Sequence, residues 1–278
     1  MTQGFLLFAY DNEDIDYGTM AVGCAKRIKV HLDKPVSLVT DAATIKKLDQ
    51  SLPTWRNYFD QIIDRESNAH HLKKYIDAGK ELTFHNLNRI YSWELTPYDE
   101  TIVIDTDVVI QSSMLNKLWN IDNDLMVCDK SDDIINRPSD EFNFISTVGV
   151  KFFWATTFYF KKTDSTKIFF DMCKSVKETY SWYKNLFGIT SSTVRNDYIW
   201  SIALHNLGGE AGAEWVDTIP WNIPYSPPND KILKINENAV QIMSKDPLLV
   251  KVSNRDIHIM NKIALTELYR DELGINNV

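Results

Sequence analysis

Cysteine is scarce in this chain, and that scarcity excludes several classes of protein. Only three are present in 278 residues, Cys24, Cys128 and Cys173. They are odd in number and far apart, so they predict neither a disulfide framework nor a thiolate metal site, and they fit a reducing compartment. A cytoplasmic location is expected. The N-terminus has no basic segment ahead of its first apolar run, and Phe5 to Tyr10 is too short for a secretory signal. No apolar stretch approaches the roughly 18 residues that a membrane helix needs. Linkers rich in Pro, Gly or Ser are missing, as are low-complexity tracts and repeats with a period of roughly 20–50 residues. Positive charge is in deficit, with 30 Lys and Arg against 38 Asp and Glu, a net charge of −8. That balance argues against a general nucleic-acid or anionic-membrane binder. The first strand-to-helix turn carries no Gly-x-Gly-x-x-Gly, which counts against a dinucleotide fold. No Gly-x-x-x-x-Gly-Lys-Ser/Thr is present, which counts against a P-loop NTPase.

What the chain does contain is ample core material, 44% hydrophobic and 12% aromatic. Phe5 to Ala9 reads as a buried first strand, with a polar loop from Tyr10 to Asp14 at its carboxyl end. Tyr17 to Leu32 has helical spacing, with Met20, Ala21, Cys24, Ile28 and Leu32 near one face. Pro35 to Thr40 reads as a strand, Ala42 to Leu48 as a helix, Phe59 to Ile63 as a strand, and Leu82 to Leu95 as a helix. His70 and His71 fall in a stretch read as a polar surface helix. Thr101 to Asp105 is the fourth strand. This alternation predicts one α/β domain over residues 1–278, with a Rossmann-like, mostly parallel central sheet flanked by helices. In the second half, Asp124 to Cys128 and Phe152 to Lys161 read as strands. Lys167 to Tyr180 and Arg195 to Asn206 read as helices. The polar stretch Asp132 to Asn143 reads as an active-site loop, Ile219 to Pro228 as a rigid loop, and Ile257 to Met260 as a short strand.

The chemistry is concentrated in WELTPYDETIVIDTDVVI, Trp93 to Ile110. An apolar, β-branched run enters Asp105-Thr106-Asp107 and resumes with Val108-Val109-Ile110. Two carboxylates in such a run cost free energy unless positive charge pairs with them. In an extended segment, residues two apart face the same side. Asp105 and Asp107 can therefore hold one hard divalent cation, Mn²⁺ or Mg²⁺, carrying a nucleotide diphosphate at the carboxyl end of a central strand.

The order Trp-x-Leu-Thr-x-Tyr, a short gap, and an apolar strand into Asp-x-Asp resembles glycogenin and its relatives. These are retaining GT-A glycosyltransferases that use UDP-sugars and Mn²⁺. The resemblance runs from about Gly4 to Lys262 and includes Tyr17-Gly18 at the start of a helix. Arg89 stands where the family places a basic residue near the diphosphate, Asp197 at a helix start, and His258 with Lys262 near the C-terminus. It implies a metal held by Asp105, Asp107 and His258, with Lys262 and Arg89 adding positive charge to the phosphates. It implies Tyr17 stacked on the uracil, Tyr10 or Asp11 on the base edge, and Thr106 among the donor-binding residues. Asp197 is then placed near the anomeric carbon, and His258 with Lys262 form a clamp whose following segment orders on binding. Residues 1–110 become the nucleotide-binding half, and 111–278 the acceptor and closing half.

The chain also departs from the family pattern. Trp154-Ala155-Thr156-Thr157 replaces Asn-Ser-Gly, Tyr198 replaces a Gln, and Lys262 follows His258 by four residues with Asn261 in place of a Gly. The donor hexose and closing loop are therefore expected to differ. The acceptor is open among a saccharide, a protein hydroxyl and a hydroxylated DNA base, with Lys161, Lys162 and Lys167, or Lys73, Lys74 and Lys80, as local basic edges. A homodimer is compatible with the chain. Competing readings are a nucleotide-sugar hydrolase, a nucleotidyltransferase, or a non-catalytic sugar-nucleotide-binding module.

Overall fold

The first strand, β1 (Gln3–Phe8), forms because Phe5, Leu6, Leu7 and Phe8 make an unbroken apolar run, and from Gly4 onward every residue of it is buried. Such a run suits a strand covered on both faces. The computed structural model describes residues 1–66, 72–77, 80–85, 87–138, 143–145, 149–190, 194–208 and 214–275. In chain order the strand is followed by α1 (Tyr17–Leu32), β2 (Val36–Thr40), α2 (Ala42–Ser51), β3 (Gln61–Asp64), β4 (Leu72–Asp77) and β5 (Lys80–His85). Next come α3 (Ser92–Leu95), β6 (Glu100–Ile104), β7 (Val108–Val109), β8 (Leu125–Cys128), β9 (Trp154–Lys161), α4 (Asp164–Glu178) and α5 (Tyr180–Leu186). The rest comprises α6 (Asn196–Gly208), β10 (Val216–Thr218), β11 (Tyr225–Ser226), β12 (Lys231–Asn236), β13 (Ala239–Met243), β14 (Leu249–Ser253), β15 (Ile257–Ile259) and α7 (Lys262–Leu273).

Seven strands form the main sheet in the order β10-β8-β9-β6-β1-β2-β3. β1 runs parallel to β2 and β6, β2 to β3, and β8 to β10; only β9 is antiparallel to its neighbours, β6 and β8. The sheet is thus mixed and mostly parallel, as the alternation of elements predicts. Helix α1 has the predicted bounds. Asp16 caps it by accepting from Thr19 N at 2.9 Å, which satisfies one of the free amides at a helix start.

Three smaller sheets were not predicted. Two are the β4-β5 hairpin and β12-β13-β14. The third, β11-β15-β7, decides the site. In it β15 pairs antiparallel with β7, His258 opposite Val108, and parallel with β11, His258 opposite Tyr225. Helix α7 was not predicted either, and it packs on α1. A Cβ at Gly23 would lie 2.5 Å from the Tyr269 ring, so the absent side chain is what lets the two helices approach. Arg270 to Asp16 at 2.8 Å and Arg27 to Glu272 at 2.9 Å tie the same pair.

The predicted helix from Leu82 to Leu95 is a correction. Its first part is strand β5, in a hairpin with β4, and Leu87–Tyr91 is a 3-10 turn leading into the short α3. Thr83 and Phe84 are strand formers, and pairing with β4 outweighs a marginal helical pattern. The polar-helix reading around His70 and His71 fails for the same reason: Leu72 to Tyr75 belong to β4, while the two histidines lie outside the described residues. The side chains of Lys73, Lys74 and Lys80 lie outside them as well. Among the described residues no helix is long and apolar enough to cross a membrane.

Candidate active site

Strand β6 ends at Ile104, and the two carboxylates that follow sit in a turn, closed by Val108 N donating to Asp105 O at 3.1 Å. The extended geometry expected from the sequence is therefore replaced by a tighter one that still converges the two acids. Asp105 N donates to Thr156 O on β9 at 2.8 Å, and Ile259 N donates to Asp107 O at 2.9 Å. The turn is thus held on one side by the main sheet and on the other by β15. Thr106 is buried between the two carboxylates.

Pairing of β15 with β7 carries His258 to this turn. Ligand atoms of Asp105, Asp107 and His258 all lie within 4.8 Å of one another. His258 Nε2 is 3.4 Å from Asp107 Oδ2, and Lys262, the first residue of α7, ion-pairs with the same oxygen. Burial pushes the Asp107 carboxyl up, but Lys262 and His258 beside it overcome that and hold it well below the usual carboxylate range. It is therefore an anion at neutral pH. Its other oxygen, Oδ1, is buried without a hydrogen-bond partner. An orphaned carboxylate oxygen in the interior is costly, and it lies within a carboxylate–carboxylate–imidazole set. That set fits Mn²⁺ or Mg²⁺, the mixed oxygen and nitrogen donors suiting Mn²⁺ better than Ca²⁺.

Asp105 has its own cation. Arg89, buried in the 3-10 turn before α3, ion-pairs with it, and Arg89 Nη1 donates to Ala155 O at 2.7 Å. Burial draws the guanidinium down to about 10, against the pull of Asp107 and Asp197, so it stays charged at neutral pH. Ala155 N in turn donates to Asp197 Oδ1 at 2.9 Å, and Arg195 holds Asp197 Oδ2 at 2.9 Å. The backbone of one residue, Ala155, thus bridges Arg89 and Asp197, the acid in the first turn of α6. Trp154 packs edge-on against His258, with centroids 6.2 Å apart, and lies 6.0 Å from the Tyr225 ring. Those two aromatics line a cavity of about 320 Å³ with Asp132, Asp133, Asn136 and Arg137 from the loop after β8. The polar loop singled out in the sequence therefore lines a cavity beside Trp154, the ring packed on His258, apart from residues 139–142, which lie outside the described residues.

The residues expected on the nucleotide side, Tyr10, Asp11 and Tyr17, follow the carboxyl end of β1. Tyr17 is buried as the first residue of α1, close enough to act electrostatically on Arg89. Tyr10 is buried, its hydroxyl accepting from Asn88 at 2.8 Å. Asp11 is engaged within the protein: Oδ1 accepts from Gly18 N at 2.8 Å, and Oδ2 pairs with Lys47 at 3.0 Å. Lys47 and Asn88 went unnoticed in the sequence, since nothing local marks either one. The clamp reading also changes. The segment from Lys262 onward is helix α7, already packed on α1, so Lys262 is a fixed group rather than part of a strap that orders on binding.

Burial, with the charge of Asp16, raises the Asp11 carboxyl to about 6. A carboxyl held above its unfolded value contributes stability below that unfolded value and loses it as pH rises through the folded one. Ionisation near pH 6 therefore costs the native state. Asp11→Asn keeps an oxygen for Gly18 N. It is expected to be more stable than the parent near pH 8, by at most about 3 kcal/mol, and equal to it near pH 4. Urea unfolding at the two pH values checks this; a gain of equal size at both would contradict it.

The sequence profile of glycosyl transferase family 8 matches residues 12–167. That span holds Tyr17, Arg89, Asp105 and Asp107, while Asp197, His258 and Lys262 lie beyond it. A search of the curated proteins gives no match. Among solved structures, the galactosyltransferase LgtC in complex with donor and acceptor sugar analogs is 15% identical, with a TM-score of 0.49, covering 77% of this chain and 72% of its own. The glycosyltransferase GlyE of Streptococcus pneumoniae is 12% identical with a TM-score of 0.46, covering 78% of this chain and 46% of its own. The bifunctional glycosyltransferase WbbM is 15% identical with a TM-score of 0.47, covering 81% and 40%.

Proposed function

The chain belongs to glycosyl transferase family 8, and on that premise we propose that it moves a sugar from a UDP-sugar to an acceptor hydroxyl with a divalent metal ion, Mn²⁺ before Mg²⁺, and with retention at the anomeric carbon. The observation that carries the metal and donor is the convergence of Asp105, Asp107 and His258 around the partnerless Asp107 Oδ1. Each carboxylate is already matched by one cation, Asp105 by Arg89 and Asp107 by Lys262. A divalent ion added there leaves the site net positive, as a diphosphate leaving group requires. The ion would act as a Lewis acid on the diphosphate oxygens, worth several kcal/mol in transfer.

The residues of the chain take the remaining roles. Arg89 and Lys262 stand beside the two carboxylates and offer charge-assisted hydrogen bonds to phosphate oxygens. Tyr17, buried at the start of α1, lies at the sheet edge where open α/β folds hold nucleotides and is assigned to stack on the uracil. Tyr10 and Asp11 lie at the same edge for the base, and Thr106 lies between the metal ligands. Asp197, linked to Arg89 through the backbone of Ala155, would stabilise positive charge at the anomeric carbon. Residues 1–110 serve the nucleotide, and 111–278, within the same domain, serve the acceptor and enclose it. The retention assignment rests on family membership.

The test is a panel of UDP-sugars with Mn²⁺, following UDP release with and without saccharide, protein and hydroxymethylated-DNA acceptors. Calorimetry with Mn²⁺ is expected to show UDP binding at least about tenfold more tightly than GDP or ADP, a difference of about 1.4 kcal/mol. Equal affinity for the three nucleotides refutes the base assignment, and absence of UDP release from every donor refutes the donor class.

A further inference from the structure

The 3-10 turn at Leu87–Tyr91 sends Arg89 inward to Asp105, while Tyr91, two residues on, meets the cations of α4. The Arg65 guanidinium lies 4.2 Å from the Tyr91 ring centroid, with Lys177 Nζ at 5.4 Å and Lys174 Nζ at 5.9 Å. Further along the same face, Lys162 and Lys167 stand 5.2 and 6.0 Å from the Trp93 centroid. Five cations thus cover two aromatic rings on a chain whose net charge is −8.

Three of the five have partners. Lys174 pairs with Glu94 and with Asp171, Lys167 pairs with Asp171, and Lys162 donates to Thr96 O at 3.0 Å. Arg65 and Lys177 are different. Among the described residues neither forms an ion pair or a side-chain hydrogen bond, although both are half-buried. Burial lowers the Lys177 ammonium, and the nearby charge of Arg65 lowers it further, against Glu178. Two cations held over one ring without an ion-pair partner repel each other, and an aromatic face returns only about 0.5–2 kcal/mol for each. An oxyanion between them relieves that repulsion, and guanidinium with ammonium is the combination that recognises phosphate.

The place also matters. Arg65 follows β3 directly, and its N–H donates to Thr40 O at the end of β2 at 2.8 Å. The cluster is therefore on the carboxyl edge of the parallel sheet, and its charge reaches Tyr10. Neither Arg65 nor Lys177 touches the Asp105–Asp107–His258 set.

We infer that Arg65 and Lys177, over Tyr91, form a phosphate-binding site separate from the metal centre. Its ligand is a phosphate ester, either a small one or a link of a phosphodiester chain, brought to the carboxyl edge of the parallel sheet. The inference stands on this cluster alone and does not depend on the sugar-transfer reading.

Fluorescence anisotropy with a short fluorescein-labelled oligothymidylate tests it, at low salt and in EDTA so that no metal-held phosphate contributes. The full chain is expected to bind the probe, and inorganic phosphate to compete. Arg65→Gln/Lys177→Gln should weaken binding by at least about tenfold and flatten the salt slope by about 1.4, as loss of two contacts to a single strand requires. Arg65→Gln alone should show part of that loss. Lys234→Gln/Lys251→Gln, on the β12–β14 sheet, should show none. Inorganic phosphate as tight as the oligonucleotide identifies a small ester as the ligand. A tighter oligonucleotide with a steep salt slope identifies a phosphodiester chain. Absence of binding by both probes overturns the site, as does unchanged binding by a double variant that melts like the parent. If the double variant loses UDP affinity with Mn²⁺ to the same degree, the cluster is part of the donor site and its separateness is overturned.

Discussion

Asp107→Ala is expected to lower sugar transfer by about a thousandfold or more, the rate equivalent of several kcal/mol of lost leaving-group stabilisation. Asp107 is the residue on which the site turns: it faces His258 and Lys262 with one oxygen and leaves the other without a partner. Its loss would remove one of the three proposed metal ligands and release both neighbours. The fold should survive, because the Lys262 side chain keeps 15% of its exposure and can turn its charge to water. Exhaustive chelation of the parent protein should produce a comparable loss, reversed by Mn²⁺. Lys262→Ala should lower kcat more than donor affinity, since its charge matters most as the diphosphate departs. The measurements are UDP release with Mn²⁺ and a thermal melt for each variant. Near-normal turnover by folded Asp107→Ala, or by chelated parent enzyme, rejects the metal assignment. If turnover and melting temperature collapse together, Asp107 is a structural acid.

Arg89→Ala is expected to be the most destabilising single change at the site, by about 3–5 kcal/mol. The guanidinium is 4% exposed, pairs with Asp105 and donates to Ala155 O at 2.7 Å. Alanine leaves a carboxylate without its partner, a carbonyl without its donor and a void where the side chain lay. Arg89→Lys should recover little, because an ammonium on a shorter reach cannot span both acceptors as the planar fork does. Equilibrium urea unfolding of the three proteins decides the point. A cost under about 1 kcal/mol, the range of an exposed pair, would place Arg89 at the surface and break its link to Asp105.

Local features of the chain were legible where local forces decide. The run Phe5 to Phe8, the helix from Tyr17 to Leu32 and the apolar strand entering Asp105 each carry their own pattern of burial within a few residues. Family resemblance added His258, Lys262, Arg89 and Asp197 to the site. Where two local preferences were close in energy, the reading failed. Leu82 to His85 has marginal helical spacing and strand-forming residues, and the hairpin partner β4 settled the choice.

The amino-acid sequence by itself determined the α/β class, the position of the two carboxylates and the need for positive charge beside them, because burial of charge is penalised whatever the fold. Only the tertiary structure decided which cations meet which acids. Asp107 and Lys262 are 155 residues apart; they meet because β15 adds to β7 and because Gly23 lets α7 seat against α1. Neither contact has a local signature. Arg89 turns inward because the 3-10 turn, not a helix, precedes α3, and Asp105 with Asp107 converge through a closed turn rather than an extended strand. These are outcomes of long-range pairing and packing, whose energy comes from partners that no window of sequence contains.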